Sequence, residues 1–184
     1  MTSSSTSVMD DEKFEQIVSE HSSFVYNVAY RMMGNPDDAD EVVQDTFLSA
    51  YRARDRFRGD AQVTTWLYRI ATNAALMRLR KNSRKKEIST DPTELYQQID
   101  RADWADAPDR TALNNELSEQ IQGAIETLPD DLKAAVILRD VEGLTNDEAA
   151  QVLEVSISAL KARLHRGRVT LRNILADYVN QRSS

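Results

Sequence analysis

The amino-acid sequence predicts an all-α protein built as two small helical domains joined by a flexible acidic linker. Three observations predict it. Apolar residues recur at helical spacing through both ends of the chain, and no alternating apolar and polar run suggests a strand. The five glycines are scattered, and the four prolines stand either at helix starts or inside one acidic stretch. Charge is segregated: ten acids face two bases in residues 1–51, and eleven bases face two acids in 52–86. Residues 87–155 then hold 17 acids against four bases, and 156–184 six bases against one acid, within a net charge of -7. Salt screens beyond roughly 8 Å, so a polyanion meets two basic blocks rather than an acidic total.

Taken in order, Phe14, Ile17, Val18, His21, Val25, Val28, Ala29 and Met32 share one helical face, which Gly34 ends as a C-cap. Asn35-Pro36-Asp37-Asp38 starts a second helix with an N-cap, a proline in the first turn and acids at the positive end of the dipole. It turns Ala39, Val42, Val43, Phe47, Ala50 and Tyr51 inward. Phe57 to Asp60 reads as a loop, and a third helix runs from about Val63 into the basic run ending at Lys86. Residues 87–112 hold Pro92, Pro108 and seven acids, with Tyr96 and Trp104 as isolated anchors, and read as the linker.

Helical spacing resumes with Leu113, Leu117, Ile121, Ile125 and Leu128, and Pro129 starts a further helix that Gly143 ends. Thr145-Asn146-Asp147-Glu148 is a capping box opening a short helix with Ala149, Ala150, Val152 and Leu153. After the turn Glu154-Val155-Ser156, Ser156 caps a last helix with Leu160, Leu164, Gly167, Leu171 and Ile174 inward. The domains are therefore expected at 10–86 and 113–182, after a tail at 1–9.

With no cysteine, disulfides, thiolate zinc sites and cysteine nucleophiles are excluded. Two distant histidines, His21 and His165, make no metal pair, and no cofactor or metal is expected. No apolar run approaches the roughly 20 residues of a membrane span, and the start MTSSSTSVMDDEK lacks a secretory h-region. No membrane insertion and a cytosolic location are expected.

The short capped helix, tight turn and last helix fit a helix-turn-helix. In that motif the N-terminal residues of the second helix reach base edges in the major groove. Small Ser158, Ala159 and Ala162 permit close approach, and Lys161, Arg163, His165, Arg166 and Arg168 offer phosphate contacts. The alternative is a basic amphipathic helix closing a bundle. On the third helix, Trp66, Arg69, Asn73, Met77, Arg80 and Arg84 fall within an arc of about 80°. An aromatic, an amide and guanidiniums on one line suit single-stranded nucleic acid; a Trp66 turned into the core is the other reading. On the second helix Glu41, Gln44, Asp45, Leu48 and Arg52 form an acidic face with an exposed leucine, suited to a protein partner or merely solvated.

These segments resemble the extracytoplasmic-function (ECF) group of bacterial sigma factors over almost the whole chain. DADEVVQDTFLSAYR (38–52) resembles that family's core-polymerase-binding helix of region 2, and FRGDAQVTTWLYRIATNAALMRLRK (57–81) its promoter-melting and -10-reading segment. The stretch 128–168 resembles its region 4. The resemblance implies that Glu41, Gln44, Asp45 and Leu48 face the core RNA polymerase. It implies that Phe57, Arg58, Gly59, Asp60, Ala61 and Gln62 form a loop capturing a flipped -10 base, with Asn73 lining the pocket and Trp66 holding loop and helix. Arg69, Arg80 and Arg84 would follow the -10 strand. Arg139, Ser156, Ile157, Ser158, Ala159, Lys161, Ala162, His165 and Arg166 would meet the -35 element of promoter DNA. An anti-sigma factor is a further implied partner. Val63 and Thr64 stand where many relatives carry aromatics, and Ser158-Ala159 replaces the commoner Gly-Thr, so no base preference is implied.

A two-domain helix-turn-helix regulator acting without polymerase is the competing class; it needs a sensor domain with parallel strands ahead of the motif. An enzyme has no support: there is no Gly-rich phosphate loop, histidine pair or nucleophile–base spacing.

Overall fold

The computed structural model describes residues 9–57, 62–88 and 111–182, apart from the side chains of 85–88, 111–116 and 177–182. Among the described residues the regular structure is entirely helical: α1 (Asp11–Met33), α2 (Pro36–Ala53), α3 (Val63–Ile88), α4 (Thr111–Glu126), α5 (Asp130–Val136), α6 (Asn146–Leu153) and α7 (Ile157–Arg182). A 3₁₀ turn, Arg54–Arg56, follows α2, and a π-helical segment, Ile137–Val141, continues α5. The loop residues 58–61, Tyr96, Trp104 and the Leu113 side chain lie outside the described residues. Most of the proposed linker, 89–110, does too, while α3 and α4 each extend two residues into its expected span of 87–112.

The local signals explain the helix ends. Asp10 caps α1 by accepting from the Lys13 N–H at 2.8 Å, and Gly34 closes it in the left-handed region at φ 78°. The Asn35 side chain accepts from the Asp38 N–H at 2.9 Å, ahead of Pro36. The capping box of α6 is complete, with the Glu148 N–H donating to the Thr145 hydroxyl and the Thr145 N–H to the Glu148 carboxylate. The Ala159 N–H donates to the Ser156 hydroxyl, starting α7. Glu154 makes the turn between α6 and α7 in the left-handed region, φ 54°, without a glycine.

Packing corrects the expectations in four places. Met9, assigned to the tail, is buried against the core, so the apolar cover begins before α1. On α2 the buried set is Ala39, Val42, Thr46 and Ala50; Thr46 is tolerated inside because its hydroxyl donates to the Val42 carbonyl at 2.6 Å. Tyr51 stays outside, where its ring meets Phe14 edge-on and Arg54 lies over its face. Among the described side chains of α4, Ala124 and Ile125 are buried, whereas Leu117 and Ile121 remain exposed.

The two halves are also packed together, which the sequence did not predict. α1, α2 and α3 form the N-terminal bundle; α4 to α7 form the C-terminal one, with α5 and α6 against α7. α3 then packs on α6 and α5, and α1 on α4 and the π segment, so a single cluster of buried apolar side chains includes residues of both halves. Polar ties cross the junction. Gln122 Nε2 donates to the Arg31 carbonyl at 3.2 Å, the Tyr68 hydroxyl to Glu142 at 3.4 Å, and Arg31 pairs with Glu142 at 3.5 Å.

Candidate nucleic-acid interface

The helix-turn-helix presents the expected face. Leu160, Leu164 and Gly167 are buried, and Leu171 and Ile174 half-buried, which turns Ser156, Ile157, Ser158, Lys161, Ala162, His165 and Arg166 outward with Ala159 at the edge. Gly167 is needed for close approach: a Cβ there would stand 2.8 Å from Val136 Cγ2 on α5. Not every base on this face is free. Arg168 donates twice to Asp140, Nε to Oδ2 at 2.9 Å and Nη2 to Oδ1 at 2.6 Å, and Arg163 lies 3.6 Å from Asp131. Among the described residues Lys161, His165 and Arg166 are committed to no carboxylate.

Arg139 is half-buried on the π segment, and its Nε donates to Asn146 Oδ1 at 3.1 Å. It lines a shallow groove with Lys161, His165, Arg168 and Arg172. The structure thus brings Arg139 beside the exposed face of α7. Arg172 joins this groove although the sequence reading did not select it. Its position, seven residues beyond His165 and so two helical turns along the same face, is the signal that finds it.

On α3 the arc separates into two parts. Arg69, Asn73, Met77, Arg80 and Arg84 are exposed, whereas Trp66 is 7% exposed and packs on Phe57 with ring centroids 4.9 Å apart. Trp66 therefore leaves the exposed stripe and serves as a core anchor. Its backbone N–H donates to the Gln62 carbonyl, so Phe57 and Gln62, which flank the undescribed residues Arg58, Gly59, Asp60 and Ala61, are both tied to the start of α3. Asn73 and Arg80 open into a cleft between the halves, whose opposite wall includes Asp130, Asp131 and Arg163.

Glu41, Gln44, Asp45 and Leu48 are all exposed on α2, Leu48 by 49%. Glu41 is not free: Arg78 on α3 bonds it through Nη1, while Arg78 Nε donates to Asp38 Oδ1 at 2.7 Å. Burial pushes the Asp38 carboxyl up, but hydrogen bonds from Asn35, Arg78 and Asn82 outweigh it and hold the group below the ordinary aspartate range. Among the described residues no cluster of three or more His, Cys, Asp or Glu is placed to hold a metal, and no helix is long and apolar enough to cross a membrane.

The site thus combines two helical units, one ending in a capped helix-turn-helix and the other carrying a basic stripe beside an acidic face. Residues 17–85 match the family model Sigma-70 region 2, and residues 118–171 match Sigma-70, region 4. The chain is 34% identical over 173 residues to the ECF RNA polymerase sigma factor SigW of Bacillus subtilis, covering 91% of each. It is 32% identical over 167 residues to the ECF RNA polymerase sigma-E factor of Escherichia coli, covering 89% of this chain and 87% of the relative. Among solved structures it is similar to CnrH in complex with the cytosolic domain of CnrY, at TM-score 0.65 and 26% identity over 91% of this chain and 90% of the other. The fold is also that of the sigma factor RpoE from Bartonella quintana, solved with the anti-sigma factor NepR, at TM-score 0.70 and 23% identity over 90% of this chain and 98% of that one. The chain belongs to the ECF RNA polymerase sigma factors of the sigma-70 family.

Proposed function

We propose that this protein binds core RNA polymerase in the cytoplasm and directs it to promoters without performing chemistry itself. Residues 10–86 act as region 2 and residues 113–182 as region 4. Glu41, Gln44, Asp45 and Leu48 dock the polymerase. Residues 57–62 with Asn73 take an unstacked -10 base, an extraction costing a few kcal/mol, while Arg69, Arg80 and Arg84 follow the strand. Ser156 to Ala159, Lys161, Ala162, His165 and Arg166, with Arg139 beside them, engage duplex -35 DNA, mostly at phosphates. An anti-sigma protein completes the partners. CnrH, which shares the fold, is seen with a protein partner, and that supports the assignment.

The observation that carries this reading is the pairing of two different exposed faces on one chain, the Asn73–Arg80 stripe of α3 and the Ser158–Arg166 face of α7. A helix-turn-helix regulator working without polymerase has no use for the first, and the described part of residues 9–88 holds helices rather than a stranded sensor domain. In the packed chain Asp130 and Asp131 stand across the cleft from Asn73 and Arg80. Promoter binding by the free chain is therefore weak until polymerase parts the halves. Gln44→Ala combined with Asp45→Arg should abolish binding to core polymerase while the far-UV circular dichroism is unchanged. An unaltered affinity would sink the polymerase-docking assignment.

A further inference from the structure

The eleven bases of residues 52–86 look like one nucleic-acid block, yet one of them turns the other way. Counted at 100° per residue from Trp66, Arg78 falls at about 120°, inside the arc occupied by Leu67 and Ala71, which are fully buried. A guanidinium on a core-facing arc requires carboxylate partners, and two are supplied by successive turns of α2. Arg78 Nε donates to Asp38 Oδ1 at 2.7 Å, and Nη1 bonds Glu41 Oε2. The Arg78 and Asp38 side chains are 20% and 24% exposed, whereas Glu41 is 57% exposed. Asp38 is fixed a second time, accepting from Asn35 Nδ2 at 2.9 Å. The guanidinium is thus anchored at its buried end and holds an exposed carboxylate at the other.

We infer that Arg78 is a positioning residue for polymerase docking, fixing the Glu41 carboxylate on the face of α2 that α3 supports from behind. The inference rests on the docking role proposed for Glu41. Two carboxylates share one guanidinium, so the triad keeps a net negative charge, and with Asp45 the face still attracts a cationic surface. A glutamate ordered beforehand loses less side-chain freedom on docking than a free one. Arg78 thereby ties the polymerase-facing helix to the helix that carries Asn73 and Arg80, and it is unavailable to DNA phosphates.

The test is a double-mutant cycle on the full chain, read as affinity of a fluorescently labelled chain for purified core polymerase, with thermal midpoint measured in parallel. Arg78→Gln should weaken core binding by roughly three- to tenfold. Glu41→Gln should then add little in the Arg78→Gln background, whereas Asp45→Ala should add its full effect there. Arg78→Lys keeps the charge and one bond but not the fork. It should retain the thermal midpoint better than Arg78→Gln and still lose the Glu41 effect, which keeps the test decisive if Arg78→Gln folds poorly. Full additivity of the Arg78 and Glu41 changes in either background would overturn the inference, as would tighter core binding by a folded Arg78 variant, since that means Arg78 competes with polymerase. A wild-type chain that does not bind core polymerase at all would instead overturn the docking role on which the inference rests.

Discussion

The Tyr68 hydroxyl donates to Glu142 across the junction of the two halves at 3.4 Å, and Arg31 reaches the same carboxylate from α1 at 3.5 Å. Tyr68 is 4% exposed, so the phenol lies inside the junction rather than on it. Glu142→Ala removes the acceptor that both groups share. Leaving a buried donor without a partner costs about 1–3 kcal/mol. The expected result is a lower thermal midpoint and a larger radius of gyration in small-angle scattering, with unchanged helix content.

The same carboxylate gives the junction a pH dependence. Burial pushes the Glu142 carboxyl above the ordinary glutamate range, and the opposing pull of Arg31 and Tyr68 only partly offsets it. A group whose pKa is raised on folding contributes fully below its unfolded value and loses that contribution as pH rises through the folded one. Glu142 therefore holds the halves together best below the ordinary glutamate range and less well as pH rises through its raised value. Asp38, held low, acts in the opposite sense: its contribution is present above the ordinary aspartate value and lost as pH falls through the depressed one. Glu142→Gln should flatten the change in inter-half energy transfer as pH rises from the ordinary glutamate range; a slope equal to wild type would assign the dependence elsewhere.

Gly167 seats α7 against Val136 of α5. Alanine there gains up to about 1 kcal/mol of helix propensity, but crowding a packed contact costs about 1–3 kcal/mol. Gly167→Ala should therefore lower the thermal midpoint and weaken duplex binding by tilting the recognition helix. A stabilised variant would show that the contact yields.

Glu154 occupies a left-handed turn that L-residues with a Cβ enter at a cost of about 1–2 kcal/mol. It is exposed and forms no side-chain hydrogen bond among the described residues. Glu154→Gly should stabilise the C-terminal half by up to about 1 kcal/mol, read in urea unfolding as a higher midpoint with an unchanged slope.

The helix starts and stops were legible because their signals are local: Asn35-Pro36, Gly34, Thr145 to Glu148 and Ser156 each act within one turn. The exposed face of α7 was legible for the same reason. The joining of the halves was not, because nothing within a helix says that Tyr68 on α3 meets a second bundle. Trp66 was ambiguous since an aromatic on a basic stripe suits both stacking on a base and packing on Phe57. The phase of Arg78 on α3 marks it as core-facing, but its charge adds to the basic block of 52–86, which hides its pairing with Asp38 and Glu41.

The two nucleic-acid faces should fail differently. Lys161→Ala should weaken use of the upstream element and reduce the salt slope of duplex binding by roughly one phosphate contact. Asn73→Ala should slow open-complex formation, read by permanganate footprinting, while closed-complex affinity holds. Equal loss in both assays would remove Asn73 from a base pocket.

Run-off transcription by purified core polymerase on a library of promoter fragments, with and without this chain, tests the central claim most directly. The account predicts defined transcripts only when the chain is present, from promoters sharing an upstream and a start-proximal element, with yield collapsing for the Gln44→Ala, Asp45→Arg variant. Background transcription with the wild-type chain, alongside tight and specific duplex binding by the chain alone, would contradict it.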